Sequence, residues 1–122
     1  MCLEDIEKYE KKHKIGYKLF ERKSKGLVTF FVGQLVSEKG WNKPTMSPEI
    51  IEKGGWNFNN RHTNMFTVFR TKRDAIWYKE YWFPYKDDAE IWKVECKNVR
   101  YKGVFRKPCI LCEEIRLIER ID

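Results

Sequence analysis

Between Glu90 and Val99 the chain alternates with a period of two. Trp92, Val94 and Cys96 take one side, and Lys93, Glu95 and Lys97 take the other. That is the signature of a strand with one buried and one wet face. The alternation returns from Ile110 to Ile121, where Leu111, Ile115 and Leu117 oppose Cys112, Glu114 and Arg116. Arg100 to Arg106 reads as a further strand, with Gly103 as a candidate bulge. Upstream, Tyr17–Glu21 and Leu27–Val32 flank the turn-like Lys23-Ser24-Lys25-Gly26 and predict a β-hairpin. Met65–Arg70 predicts one more short strand.

Helical spacing occurs in two places. Leu3, Ile6 and Tyr9 form a narrow apolar stripe, which predicts a short N-terminal helix over Leu3–His13 ended by Gly16. Thr71-Lys72-Arg73-Asp74 resembles a capping box with Asp as the acidic member. It predicts a helix from Lys72 to Phe83 that stops before Pro84. Ala75, Ile76, Tyr78, Lys79, Trp82 and Phe83 share its broad side and suit packing on a sheet. Gly33–Asn64 is irregular, with a single helical turn predicted at Ser47-Pro48-Glu49-Ile50-Ile51. The expected fold is one α+β domain over residues 1–122. It is a mainly antiparallel sheet of about five or six strands, packed by one principal helix, plus the short N-terminal helix.

Composition narrows the class. No apolar run approaches the ~20 residues of a membrane-spanning helix, and Met1–Lys14 is too charged for a signal peptide. Both point to a cytoplasmic protein without a membrane partner. The four cysteines read as free thiols rather than a disulfide framework. The net charge of +7 favours anionic partners, meaning nucleotides, nucleic acid or an acidic protein.

Candidate chemistry is sparse. Cys109-Ile110-Leu111-Cys112 is a CxxC, but strand-like alternation follows it, whereas a redox CxxC wants a helix N-terminus. Zinc needs two more ligands, and His62 and Cys96 lie at no characteristic spacing. No metal or cofactor is therefore assigned. Asp87-Asp88 falls in a turn, Glu113-Glu114 splits across a strand, and Gly54-Gly55 lacks a phosphate-loop pattern. No catalytic set is advertised. What stands out is aromatic and basic residues interleaved, since aromatic faces stack on bases and arginines hold phosphates. Asn59-Asn60-Arg61-His62-Thr63-Asn64 reads as a polar loop able to read a ligand. The candidate ligand-binding residues are Trp56, Arg61, His62 and Phe83, with Arg100 and Arg106 as further phosphate contacts.

The order of elements is also informative. Gly16-Tyr17-Lys18-Leu19-Phe20 opens the domain, and Phe66-Thr67-Val68-Phe69-Arg70 runs into the helix at Thr71-Lys72-Arg73-Asp74-Ala75. Ile91-Trp92-Lys93-Val94-Glu95-Cys96 follows, and Arg116-Leu117-Ile118-Glu119-Arg120 closes the sequence. This order resembles small phage-encoded α+β proteins, and within them the Thoeris anti-defence sponges. The resemblance implies capture of an uncleaved cyclic ADP-ribose-type signal by a homo-oligomer with nucleotide pockets near subunit contacts. It carries over no pocket residues.

The leading expectation is thus non-catalytic sequestration of a small phosphorylated nucleotide, as a phage counter-defence sponge. One alternative is a phage inhibitor that blocks a host nuclease or CRISPR effector through a basic surface, with a host defence protein or nucleic acid as partner. The other is an enzyme of ADP-ribosyl or phosphodiesterase type, built on His62, Thr71 and Glu114.

Overall fold

The computed structural model describes residues 2–30, 33–44, 50–52, 61–63, 65–84 and 87–122, with the backbone alone at 2, 3, 50–52 and 61–63. The long strands are β1 (Cys2–Lys23), β8 (Ala89–Phe105) and β9 (Lys107–Arg120). Shorter ones are β2 (Gly26–Thr29), β3 (Leu35–Val36), β4 (Trp41–Asn42), β5 (Ile50–Glu52), β6 (Arg61–Thr63) and β7 (Phe66–Phe69). The helix α1 spans Lys72–Trp82. The mainly antiparallel α+β architecture, with one principal helix, is the one the patterning predicts.

β8 lies between β1 and β9 along most of its length, antiparallel to both. β9 pairs in turn with β7, and β7 meets β1 at Tyr17–Phe69. The path β1–β8–β9–β7 therefore returns to β1, and the sheet closes on itself. Gly16 makes the closure sterically possible. A Cβ there would stand 2.3 Å from Val68 Cγ1 and 2.8 Å from the Phe69 carbonyl oxygen. No larger residue lets β1 approach β7 this closely.

Parity along the strands sorts the core into two. Phe20, Phe66, Val68, Val94, Cys96, Ile110 and Cys112 pack on one face. Leu19, Phe69, Ile91, Cys109 and Leu111 pack on the other, beneath Ala75 and Tyr78 of α1. The first face continues through Val99, Ile115 and Leu117. The steps from Cys96 to Val99 and from Cys112 to Ile115 are odd, so the β8–β9 ladder changes hand there. Asn98, at φ 55°, sits in that step. Leu111 consequently parts from Ile115 and Leu117, which simple alternation would have kept together.

The short N-terminal helix is not formed, because Leu3–His13 belongs to β1. β8 imposes the extended state by pairing with Glu4, Glu7, Lys8, Lys11 and His13, across two register shifts. Asp5, at φ 53°, lies within the first shift. Ile6 and Tyr9 pack against opposite faces. A spacing of three puts residues on one side of a helix but on two sides of a strand, so the apparent helical stripe belongs to a strand covered on both faces. Of the predicted turn at Ser47–Ile51, Ile50 and Ile51 are in β5, paired with Thr63 and His62. The rest lies outside the described residues.

α1 begins and ends as its sequence requires. Thr71 Oγ1 accepts the Asp74 amide at 3.2 Å, and the Phe83 amide donates to the Lys79 carbonyl at 2.8 Å ahead of Pro84. Among the described residues no helix is long and apolar enough to cross a membrane.

Candidate functional site: aromatic rings carrying cations

Among the described residues every buried side-chain nitrogen and oxygen has a hydrogen-bond partner. Glu90, 3% exposed, takes a two-pronged contact from Arg22 at 2.9 and 3.0 Å and a third hydrogen bond from Trp92 Nε1 at 3.0 Å. Arg120 adds a longer ion pair at 3.6 Å, and Arg22 also reaches Glu38 at 3.2 Å. Burial works to raise the Glu90 pKa, but the hydrogen bonds from Arg22 and Trp92 and the arginine charges outweigh it. The carboxyl is held below its ordinary range. Lys18 lies on the first core face, and its ammonium donates to the Thr67 carbonyl at 2.7 Å. Burial lowers its pKa to about 8, partly countered by the nearby cysteines.

The cysteines of the CxxC fall in different cores, Cys109 with Leu111 and Cys112 with Cys96. Cys96, Cys109 and Cys112 are free and buried. Burial pushes the Cys109 thiol up to about 12, and burial with the neighbouring Cys96 raises Cys112 well above its ordinary value. A thiol held protonated is a poor nucleophile and a poor metal ligand. Among the described residues no group of three His, Cys, Asp or Glu side chains converges as a metal ion requires.

The surface is different: among the described residues three aromatic clusters carry cations. Trp41 of β4 has Arg116 at 5.1 Å and Lys97 at 5.4 Å from its ring, with His13 tilted against it at 6.4 Å. Glu95 supplies the counter-charge, pairing with Arg116 and, at 3.7 Å, with His13. Lys97 is balanced by Glu114 at 3.9 Å.

The second cluster covers the outside of α1 and the β8–β9 turn. Trp77 and Tyr81, one helical turn apart, stack at 5.0 Å and 8°. Tyr81 meets Trp82 edge-on at 5.3 Å. Lys107 stands 4.6 Å from the Trp77 ring, and Arg106 stands 5.5 Å from that of Trp82. Arg106 occupies the turn at φ 65°, which swings the chain back into β9. Tyr81 is 60% and Trp82 45% exposed. Among the described residues neither Arg106 nor Lys107 has an ion-pair partner.

The third cluster surrounds Tyr9. Arg70 and Lys102 are each 5.4 Å from its ring, Lys11 is at 5.5 Å and Lys14 at 5.8 Å. The hydrogen bond from Lys14 is the largest influence on the phenol. With the charges of Lys14, Arg70 and Lys11 it lowers the pKa against the opposing effect of burial.

Where they are described, the residues expected to share a site fall on different elements. Arg106 joins the α1 cluster beside Trp82. Phe83 turns inward instead, stacking on Phe30 at 4.3 Å and 24°. Arg100 is on β8, paired with Glu113 at 2.9 Å. It lines a groove of about 440 Å³ with Lys11, Lys12 and Asn98. Arg61 and His62, expected in a loop, are in β6, opposite Leu3 and Cys2 of β1. Trp56 lies outside the described residues. Tyr9, Lys11, Lys14, Trp77 and Lys107 were not singled out by the sequence. The available signal was the Lys8–Lys14 run, four lysines and a histidine within sight of one tyrosine, hidden by the helical reading.

Comparison of the chain with protein-family models, with curated proteins and with solved structures gave no match.

Proposed function

We propose that this protein binds a phosphorylated nucleotide without transforming it, through the aromatic–cation face of α1 and the β8–β9 turn. The observation that carries the reading is the stacked Trp77–Tyr81 pair with Trp82, flanked by Arg106 and Lys107, which have no carboxylate partners among the described residues. A base needs a flat apolar surface, and its phosphates need unpaired cations close by. Sequestration of a cyclic ADP-ribose-type signal, as in a counter-defence sponge, is the use we assign to that binding. The protonated thiols and the arginine-bound Glu90 are consistent with a role that needs no nucleophile or general base.

Tryptophan fluorescence titrated with ADP-ribose and cyclic ADP-ribose, followed by mass analysis of the recovered ligand, tests the reading. The expected outcome is quenching on binding and release of intact ligand. Tyr81→Ala is expected to weaken binding by about 1–3 kcal/mol. Absence of quenching, or an unchanged affinity in Tyr81→Ala, removes this face from the function. Recovery of a cleaved ligand replaces sequestration with catalysis.

A second reading is favoured by the position of the face on the outside of a helix and a turn. There it is suited to lie along a nucleic-acid strand, or to block a host nuclease or CRISPR effector through its own basic surface. Affinity for single-stranded nucleic acid that falls steeply with salt, exceeding that for ADP-ribose, selects it.

A further inference from the structure

Tyr9 sits half-buried against the first core, and cations from three elements converge on its ring. Lys11 and Lys14 come from β1, Arg70 from the junction between β7 and α1, and Lys102 from β8. Tyr9 lies inside the Lys8/Lys11 register shift of β1, just after the shift at Glu4/Glu7. Of the four cations only Lys102 has a carboxylate partner among the described residues, Glu7 at 3.2 Å. Four positive groups around one ring against one acid leave a surplus of three. Like charges repel unless an anion lies among them. The Tyr9 hydroxyl adds a hydrogen-bonding group to the cations.

We propose that the Tyr9 cluster is a binding site for a terminal phosphoryl group, a phosphomonoester dianion. Arg70 supplies a planar fork, Lys11 and Lys14 supply point charges, and the Tyr9 hydroxyl supplies a neutral contact. The surplus of cations suits a dianion better than the single charge of a phosphodiester. The site also borders the α1 face. The Arg70 amide donates to the Pro108 carbonyl at 3.4 Å, and the preceding residue, Lys107, is the cation over Trp77. ADP-ribose and cyclic ADP-ribose carry a pyrophosphate bridge and no terminal monoester, so this site goes beyond the nucleotide reading of the α1 face and does not depend on it.

Calorimetric titration of the full chain with inorganic phosphate, phenyl phosphate and dimethyl phosphate tests it, with two-dimensional NMR of the tyrosine rings as the local readout. Phosphate and phenyl phosphate are expected to bind at millimolar concentration or below and to shift the Tyr9 ring signals. Dimethyl phosphate is expected to bind at least about tenfold more weakly, as are the monoesters to Arg70→Ala and Lys14→Gln. Lys25→Gln, exposed in the turn between β1 and β2 and outside all three clusters, is expected to bind inorganic phosphate as the parent does. Lack of phosphate binding at millimolar concentration overturns the proposal, and so does equal affinity for the diester or indifference to both Arg70→Ala and Lys14→Gln. Failure of the α1 reading appears separately, as ADP-ribose binding that ignores Tyr81→Ala while the phosphate titration is intact.

Discussion

Glu90 and Tyr9 each gather cations, but the two clusters are composed differently. Around Glu90, two arginines meet two carboxylates, Glu90 and Glu38, and Trp92 completes the hydrogen bonding of the buried oxygens. Around Tyr9, four cations meet one carboxylate. The first arrangement is what burial demands, since a buried charge without partners is costly. The second brings the fold no such return and leaves positive charge facing water. Charge that is balanced inside the molecule holds it together. Charge left in surplus is available to something outside it.

The contrast breaks most readily at Glu90. Glu90→Ala removes a buried carboxylate and its hydrogen bonds but leaves the partly exposed Arg22 solvated and held by Glu38, and a loss of about 1.5–3 kcal/mol is expected in urea unfolding. A loss below about 1 kcal/mol would mean that the network is ornamental. The pH response has a defined sign. Because the folded carboxyl is held below its ordinary value near 4.5, its contribution is present above that value. It disappears as pH falls through the lower folded value.

Lys18 gives the next effect, in the opposite direction. Its folded pKa is about 8 against an ordinary 10.5, so above pH 8 the folded state has released a proton that the unfolded chain still holds. Stability is therefore expected to rise with pH from about 8 toward the thiol range near 9. There Cys109 and Cys112, with pKa values raised by burial, begin to act the other way. Lys18→Met is expected to abolish that rise and to stabilise the protein by up to about 3 kcal/mol at neutral pH. A variant that unfolds more easily than the parent at pH 7 would show that the bond to the Thr67 carbonyl outweighs the desolvation.

The smallest stability effect is expected at the Tyr9 cluster. Arg70→Ala should change unfolding free energy by no more than about 0.5 kcal/mol in thermal or urea melts, because its side chain is exposed and has no carboxylate to lose. A loss as large as that of Glu90→Ala would erase the distinction between the two clusters.

How much of this was legible depended on local information. The strands β2 and β7, the helix α1 and its cap, and the two-faced pattern of β8 up to Cys96 are written in residues close together in sequence. Capping, turn chemistry and period-two alternation act over a few residues. β1 was half legible. Tyr17–Glu21 reads as a strand, but Leu3–His13 carries a spacing of three that helix and two-sided strand share. Only the partner β8 decides between them. The candidate site was less legible still. Arg106 was identified and lies beside Trp82, whereas Phe83 turned to Phe30, and Arg100 went to Glu113 on another part of the sheet.

The sequence by itself determined the class of fold, the position of its principal helix and the surplus of positive charge, because composition and local periodicity carry those properties. Tertiary structure decided which aromatics are covered, which acids neutralise which bases, and where the surplus collects. Tyr9 meets Arg70 and Lys102 across gaps of more than sixty residues in the chain. Such a meeting is set by the register of β1 on β8 and by closure of the sheet at Gly16, not by any pattern in the neighbouring residues.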